Sequence, residues 1–207
     1  MLSDLLTQLD FLDERLAAVE AEIERYLAQL PTYQEAVRLL DTIPGVNRLA
    51  AVTIVAEIGV DMTRFPSDRH LTAWAGVAPG NNETGGKQRA AKARLGNKYL
   101  RRILTLTARA AAKTKDTYLR SLYYRLKARR GDARAVMAVG RTILQMAYHI
   151  IQRHQPYREL GANYLDSLDK AHLAKRLVQR LEALGFEVQA KPHDVQSASD
   201  NADKPAA

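Results

Sequence analysis

The sequence predicts an all-α protein, an N-terminal coiled-coil helix followed by a compact helical domain, and three observations predict it. Leu and Ala are abundant while aromatic residues make up only 6% of the 207 residues, which suits helices better than a sheet. Apolar residues recur three and four apart over most of the chain. Capping and stop residues, such as Ser67, Asn97 and Gly131, stand at the edges of those runs.

The first element spans residues 1–31. Leu2, Leu5, Leu9, Leu12, Leu16, Val19, Ile23, Tyr26 and Leu30 alternate three and four apart without a slip, as the a/d seam of a coiled coil does. Asp4, Asp10, Asp13, Glu14, Glu20, Glu22 and Glu24 flank the seam, so this helix is an acidic assembly device that repels nucleic acid. The alternative is one amphipathic helix folded back on its own domain; both make a protein contact. Pro31 ends the helix and a polar hinge follows.

Residues 39–155 form the main domain. Within it, 39–59 reads as a helix-hairpin-helix, because two apolar helices flank the turn Ile43-Pro44-Gly45-Val46-Asn47, and such a turn aims backbone amides at a phosphate. Gly45, Asn47 and Arg48 are its candidate contacts, with Asn47 able to take a left-handed conformation. A plain helical hairpin that only packs is the competing reading. Ser67 caps a short helix carrying Leu71 and a core Trp74. Residues 80–96 then form a glycine-rich basic loop, in which Gly80, Asn81, Asn82, Gly85 and Gly86 suit turn conformations around Thr84.

Basic helices are expected over 97–130. Asn97 caps the first, with Lys98, Arg101, Arg102, Thr105 and Arg109 on one face and Leu100, Ile103, Leu104, Thr107, Ala110 and Ala111 on the other. A second helix runs from about Thr117 to Arg130 and stops at Gly131. The Ala133–Ile151 run completes the core; Arg134 and Arg141 break it and it is too short for a bilayer, so no membrane partner is expected. An amphipathic extension covers 160–186, and 187–207 is a polar tail expected to be disordered.

Charge carries the functional reading. Between Gly80 and Arg130 there are 15 Lys and Arg against Glu83 and Asp116 alone, although the whole chain is only +8. Such a local excess repels itself unless a polyanion neutralises it, and a phosphodiester backbone is the usual one. Lys87, Arg89, Lys92, Arg94, Lys98, Arg101, Arg102 and Arg109 are the candidate contacts; a solvated helix face is the bland alternative for the helical ones. Thr84 offers a hydroxyl beside Lys87 and Arg89 that could attack a phosphodiester if a base or metal activated it, or could simply brace the loop. The five histidines have no metal-binding spacing, and no metal site is expected. Cysteine is absent, which excludes disulfides and thiolate sites and suits a reducing cytoplasm; no secretory signal is evident at Met1–Asp10.

Ile43-Pro44-Gly45-Val46, Ala56-Glu57-Ile58-Gly59, Trp74-Ala75-Gly76-Val77-Ala78-Pro79-Gly80-Asn81-Asn82-Glu83-Thr84-Gly85-Gly86-Lys87 and Gly96-Asn97-Lys98-Tyr99-Leu100-Arg101-Arg102 occur in that order. Together they resemble the C-terminal transposase domain of the insertion-sequence "one-ten" family, the DEDD transposases related to the Piv invertase and to bridge-RNA-guided recombinases. The resemblance implies a DNA-binding domain acting in transposition or site-specific recombination, with DNA, guide RNA and a homo-oligomer or full-length transposase as partners, in the nucleoid-associated cytoplasm. It places the family's nucleophilic serine on Thr84, where the hydroxyl is kept and a methyl restricts χ1. It also implies a resolvase-like domain whose four carboxylates hold divalent metal. That domain is expected to be missing here, which leaves no cofactor in this chain and an enzyme part inactive alone. The alternative is a non-catalytic nucleic-acid-binding oligomer that regulates or interferes with a full-length transposase.

Overall fold

The computed structural model describes residues 1–80, the backbone of 83–84 and 87–88, residues 95–168 and residues 170–189. Expectations for Asn81, Asn82, Gly85, Gly86, Arg89, Lys92 and Arg94, and for the tail beyond residue 189, lie outside the described residues. The chain divides into a unit of Met1–Asn163 and a unit of Tyr164–Ala207.

In the first unit, helix α1 (Leu2–Ala28) is followed by α2 (Pro31–Leu40), α3 (Arg48–Ile58), a 3₁₀ turn (Met62–Arg64) and α4 (Asp68–Trp74). Then come α5 (Lys98–Ala111), α6 (Tyr118–Arg130) and α7 (Asp132–Arg153). The all-α expectation holds, apart from a two-residue antiparallel pair between β1 (Glu83–Thr84) and β2 (Lys87–Gln88). The second unit contributes α8 (Tyr164–Ser167) and α9 (Lys170–Glu182), in neither of which is a residue buried.

Local chemistry sets most boundaries. Side-chain oxygens of Asn47, Ser67, Asn97 and Thr117 accept from the free amides of α3, α4, α5 and α6, the groups a helix start leaves without partners. Pro31 opens α2 as its first residue, so the stretch expected to be a polar hinge is helical. There its fixed φ suits the helix and its missing amide costs nothing.

Helix α7 is the hub, packed against α5 and α6 and also against α4 and α2. Its buried arc of Ala135, Val139, Gly140, Ile143, Leu144, Ala147 and Ile151 joins Leu100 and Leu104 of α5 and Leu119 of α6 in one core. Gly140 lets α5 come close, since a Cβ there would stand 3.1 Å from the Leu104 carbonyl oxygen. The hairpin turn is packed just as tightly. Gly45 has φ +85°, and a Cβ on it would lie 2.3 Å from the backbone nitrogen of Ala111. Two core assignments are corrected. Trp74 is 46% exposed and rests its ring 5.6 Å from that of Phe65, because the buried side of short α4 is taken by Leu71 and Thr72. Ala110 is exposed, rotated out of the arc of α5 that Ala108 and Ala111 bury.

Candidate nucleic-acid interface

Asn97 builds the start of the basic helix. Its Oδ1 accepts from the amides of Tyr99 and Leu100 at 2.9 and 3.0 Å, and its amide nitrogen donates to the Glu57 carboxylate of α3. With the first turn fixed to the domain and Leu100, Leu104, Thr107, Ala108 and Ala111 buried, the register of the outward face is set. On that face Lys98, Arg102 and Arg109 are exposed, while Arg101 and Thr105 are half-buried at its margin. The Thr105 hydroxyl donates back to the Arg101 carbonyl at 2.8 Å, so it is already engaged. Lys98 holds its ammonium 4.9 Å from the centre of the exposed Tyr99 ring. Among the described residues Lys98, Arg101 and Arg102 have no carboxylate partner.

The far end of this face runs into one carboxylate. Asp132, first residue of α7, accepts from the Tyr123 hydroxyl and lies 3.3 Å from the Arg109 guanidinium and 3.8 Å from the Lys127 ammonium. The tyrosine hydrogen bond, with Arg109 and Lys127 adding their charge, holds the Asp132 carboxyl below its ordinary range. Tyr123 and the negative charge beyond it push Lys127 upward. Asp132 thus restrains two cations. Sequence reasoning passed over it, although an acidic residue directly after a helix-stopping glycine is a legible first-turn signal.

The hairpin candidates are all occupied by the fold. Gly45 faces α5, and Asn47 takes an extended conformation (φ −94°) rather than a left-handed one because it caps α3. Arg48 makes a bidentate pair with Glu24 of α1 at 2.6 and 2.5 Å, which raises the arginine and lowers the glutamate from their ordinary values. This pair ties the foot of α1 to the domain. Above it, Leu2, Leu5, Leu9, Leu12, Leu16, Val19 and Tyr26 stay exposed and Ile23 is half-buried; only Leu27 of the helix is buried. Ile23 packs against the core, while the seam positions from Leu2 to Val19 stay exposed.

Thr84 sits on β1 with its Cα opposite that of Lys87 on β2. The sequence reading had only a loop here. Two glycines between Thr84 and Lys87 are a two-residue hairpin signature that it could have used. The side chains of Thr84 and Lys87 lie outside the described residues.

Comparison with known proteins finds one transposase family alike over part of the chain. The sequence profile described as "Transposase IS116/IS110/IS902 family" matches residues 37–125, from the middle of α2 into α6. Over these residues the chain is similar to that transposase family. Among curated proteins, a "Probable family 20 transposase" of Pseudomonas aeruginosa is 28% identical over 162 residues, 76% of this chain and 46% of that protein. The transposase of insertion element IS1111A from Coxiella burnetii is 29% identical, over 76% of this chain and 43% of its own length. A "Pilin gene-inverting protein" of Moraxella bovis is 25% identical, over 75% and 46%. The chain therefore spans less than half the length of these curated relatives. Among the described residues no group of three His, Asp or Glu is placed to hold a metal, and no helix is long and apolar enough to cross a membrane.

Proposed function

We propose that this chain is the nucleic-acid-gripping part of an insertion-sequence transposase, acting in DNA transposition or site-specific recombination. The observation that carries the reading is the outward face of α5. Lys98, Arg101 and Arg102 stand there without carboxylate partners on a helix whose cap and inner face are locked into the core. Cations gathered on the first turn of an anchored helix gain counterion-release free energy when they meet a phosphate backbone. Because phosphate contacts position without reading bases, this face binds DNA, and guide RNA as a second ligand, with little sequence preference of its own.

In the complete assembly Thr84 serves as the nucleophile. Its hydroxyl attacks the scissile phosphorus, the new bond joins Thr84 to DNA, and a DNA hydroxyl leaves. Nearby cations stabilise the charge that builds on the phosphorus oxygens. The divalent metal for that step is held by the carboxylates of a resolvase-like domain. The exposed seam of α1 pairs with a second copy or with a full-length transposase, and the machinery works on the nucleoid in the cytoplasm.

The test is adduct formation. Incubated with DNA, divalent metal and the carboxylate domain of a relative in trans, the wild type should yield a covalent protein–DNA species that Thr84→Val abolishes and Thr84→Ser retains. An adduct persisting in Thr84→Val removes Thr84 from the chemistry. Complete absence of adduct with both Thr and Ser, alongside intact binding, would favour the non-catalytic regulator.

A further inference from the structure

The outer part of α1 presents charges beside its apolar stripe, and their order along the helix carries a direction. With Leu2, Leu9 and Leu16 as a positions and Leu5, Leu12 and Val19 as d positions, Gln8, Arg15 and Glu22 fall at g, and Leu6, Asp13 and Glu20 at e. All six flanking residues are exposed. Glu22 lies 3.5 Å from Arg25 of its own helix, whereas Asp13, Arg15 and Glu20 enter no ion pair among the described residues. Their charges are free for a neighbour.

Each arrangement of two α1 helices pairs these residues differently. In a parallel pair in register, a g residue of one copy meets the e residue five places on in the other. Arg15 then meets Glu20 and Gln8 meets Asp13, each twice by symmetry, and no like charges face one another. In an antiparallel pair g meets g and e meets e. With the seam fully overlapped, so that Leu5 lies opposite Leu16, Gln8 meets Arg15 and Leu6 meets Asp13, and no ion pair forms. Sliding one heptad toward the foot sets Arg15 against Arg15 and Asp13 against Asp13. Sliding a second heptad gains Arg15 against Glu22 but sets Asp13 against Glu20, and carries Leu2 and Leu5 past the end of the partner helix. Sliding the other way uncovers Leu16 and Val19 without making an ion pair. Only the parallel register covers the whole seam and joins opposite charges.

We infer that the occupant of the α1 seam is α1 of a second copy of this chain, parallel and in register, selected by reciprocal Arg15–Glu20 pairs. The inference rests on the seam reading proposed above and adds the partner and its direction. A parallel coil sets both α1 feet, each tied to its domain through Glu24 and Arg48, at the same end. Both helical bodies therefore hang from one end of the coil.

The chain has no cysteine, so single introduced cysteines report direction in the full-length chain. In the parallel pair Leu5 faces Leu5 closely enough for a disulfide to close across the layer. In the overlapped antiparallel pair the rise between residues 5 and 16, about 16 Å, separates the two copies of residue 5. Under mild oxidation Leu5→Cys and Leu16→Cys should each cross-link alone, while Glu14→Cys, off the seam, should not. Arg15→Glu sets like charges on both flanks and should weaken self-association roughly tenfold in sedimentation. Adding Glu20→Arg should restore it, because the pairs re-form with their signs exchanged. Cross-linking only when the Leu5→Cys and Leu16→Cys proteins are mixed would keep the seam and overturn the parallel direction. Self-association of Arg15→Glu equal to wild type, or no recovery in the double variant, would overturn the charge pairing that selects it. A monomeric wild type would remove the seam itself and this inference with it.

Discussion

Replacing Gly45 with alanine probes the joint on which the basic helix is hung. The residue has φ +85°, and an added Cβ would stand 2.3 Å from Ala111 N, 2.7 Å from Ala111 Cα and 2.7 Å from the Thr107 carbonyl oxygen, all of them backbone atoms that no rotamer can move aside. The left-handed conformation costs an L-residue about 1–2 kcal/mol, and forcing one methyl into a packed contact adds about 1–3 kcal/mol. Gly161 separates the two, because it has the same φ of +85° with nothing within 4 Å of its virtual Cβ. Gly161→Ala should therefore show only the conformational cost. At about 2–4 °C per kcal/mol for a chain of this size, Gly45→Ala should melt a further 2–12 °C or so below Gly161→Ala when unfolding is followed by circular dichroism. Equal melting temperatures would mean that the hairpin turn does not press on α5, and that Gly45 is free for another role.

Three further outcomes follow from the same geometry. Arg101→Ala with Arg102→Ala should weaken DNA and RNA retention and flatten the dependence of log affinity on log salt by about 1.8 for duplex DNA; unchanged retention would show that this face looks elsewhere. Asp132→Asn should tighten binding at low salt by releasing Arg109 and Lys127. Because the folded Asp132 carboxyl lies below its unfolded value, its stabilisation is full above about pH 4 and is lost as pH falls through the folded value, so the variant should also flatten the acid limb of a stability profile. A variant whose acid limb matches wild type would remove the Asp132 cluster as a source of stability. Leu9→Asp with Leu16→Asp should convert an oligomer to a monomer in sedimentation by placing charge on the seam, and a monomeric wild type would refute the seam directly.

The parts of this molecule that were legible in sequence are those fixed locally. The 3–4 spacing of Leu9, Leu12, Leu16 and Val19 gave α1, and the oxygens of Ser67 and Asn97 gave two helix starts where the amides of α4 and α5 need them. The errors came from residues with two local meanings. Pro31 ends one helix and begins the next. The pattern Tyr33, Ala36, Val37, Leu40 was present to say so, and Val37 and Leu40 are fully buried. Asn47 reads in sequence as a turn residue and is a cap, as its extended backbone and the bond its Oδ1 accepts from the Ala50 amide show. The site was legible as charge but not as pairing. No local rule couples Arg48 to Glu24, 24 residues away, or Arg109 to Asp132, 23 residues away, since those partners are chosen by helix packing.

Gly96 presses so closely on the chain at Ala75 and Gly76 that a single methyl group would collide with both. The chain thus meets itself at residues 75–76 and 96, a clasp that fixes the two ends of the stretch that carries Thr84 and Lys87. With those ends fixed, the energetic penalty of lengthening the stretch between them grows only logarithmically. A circular permutant opened within that stretch should keep the helical body, because the clasp and not the covalent path holds its two ends together.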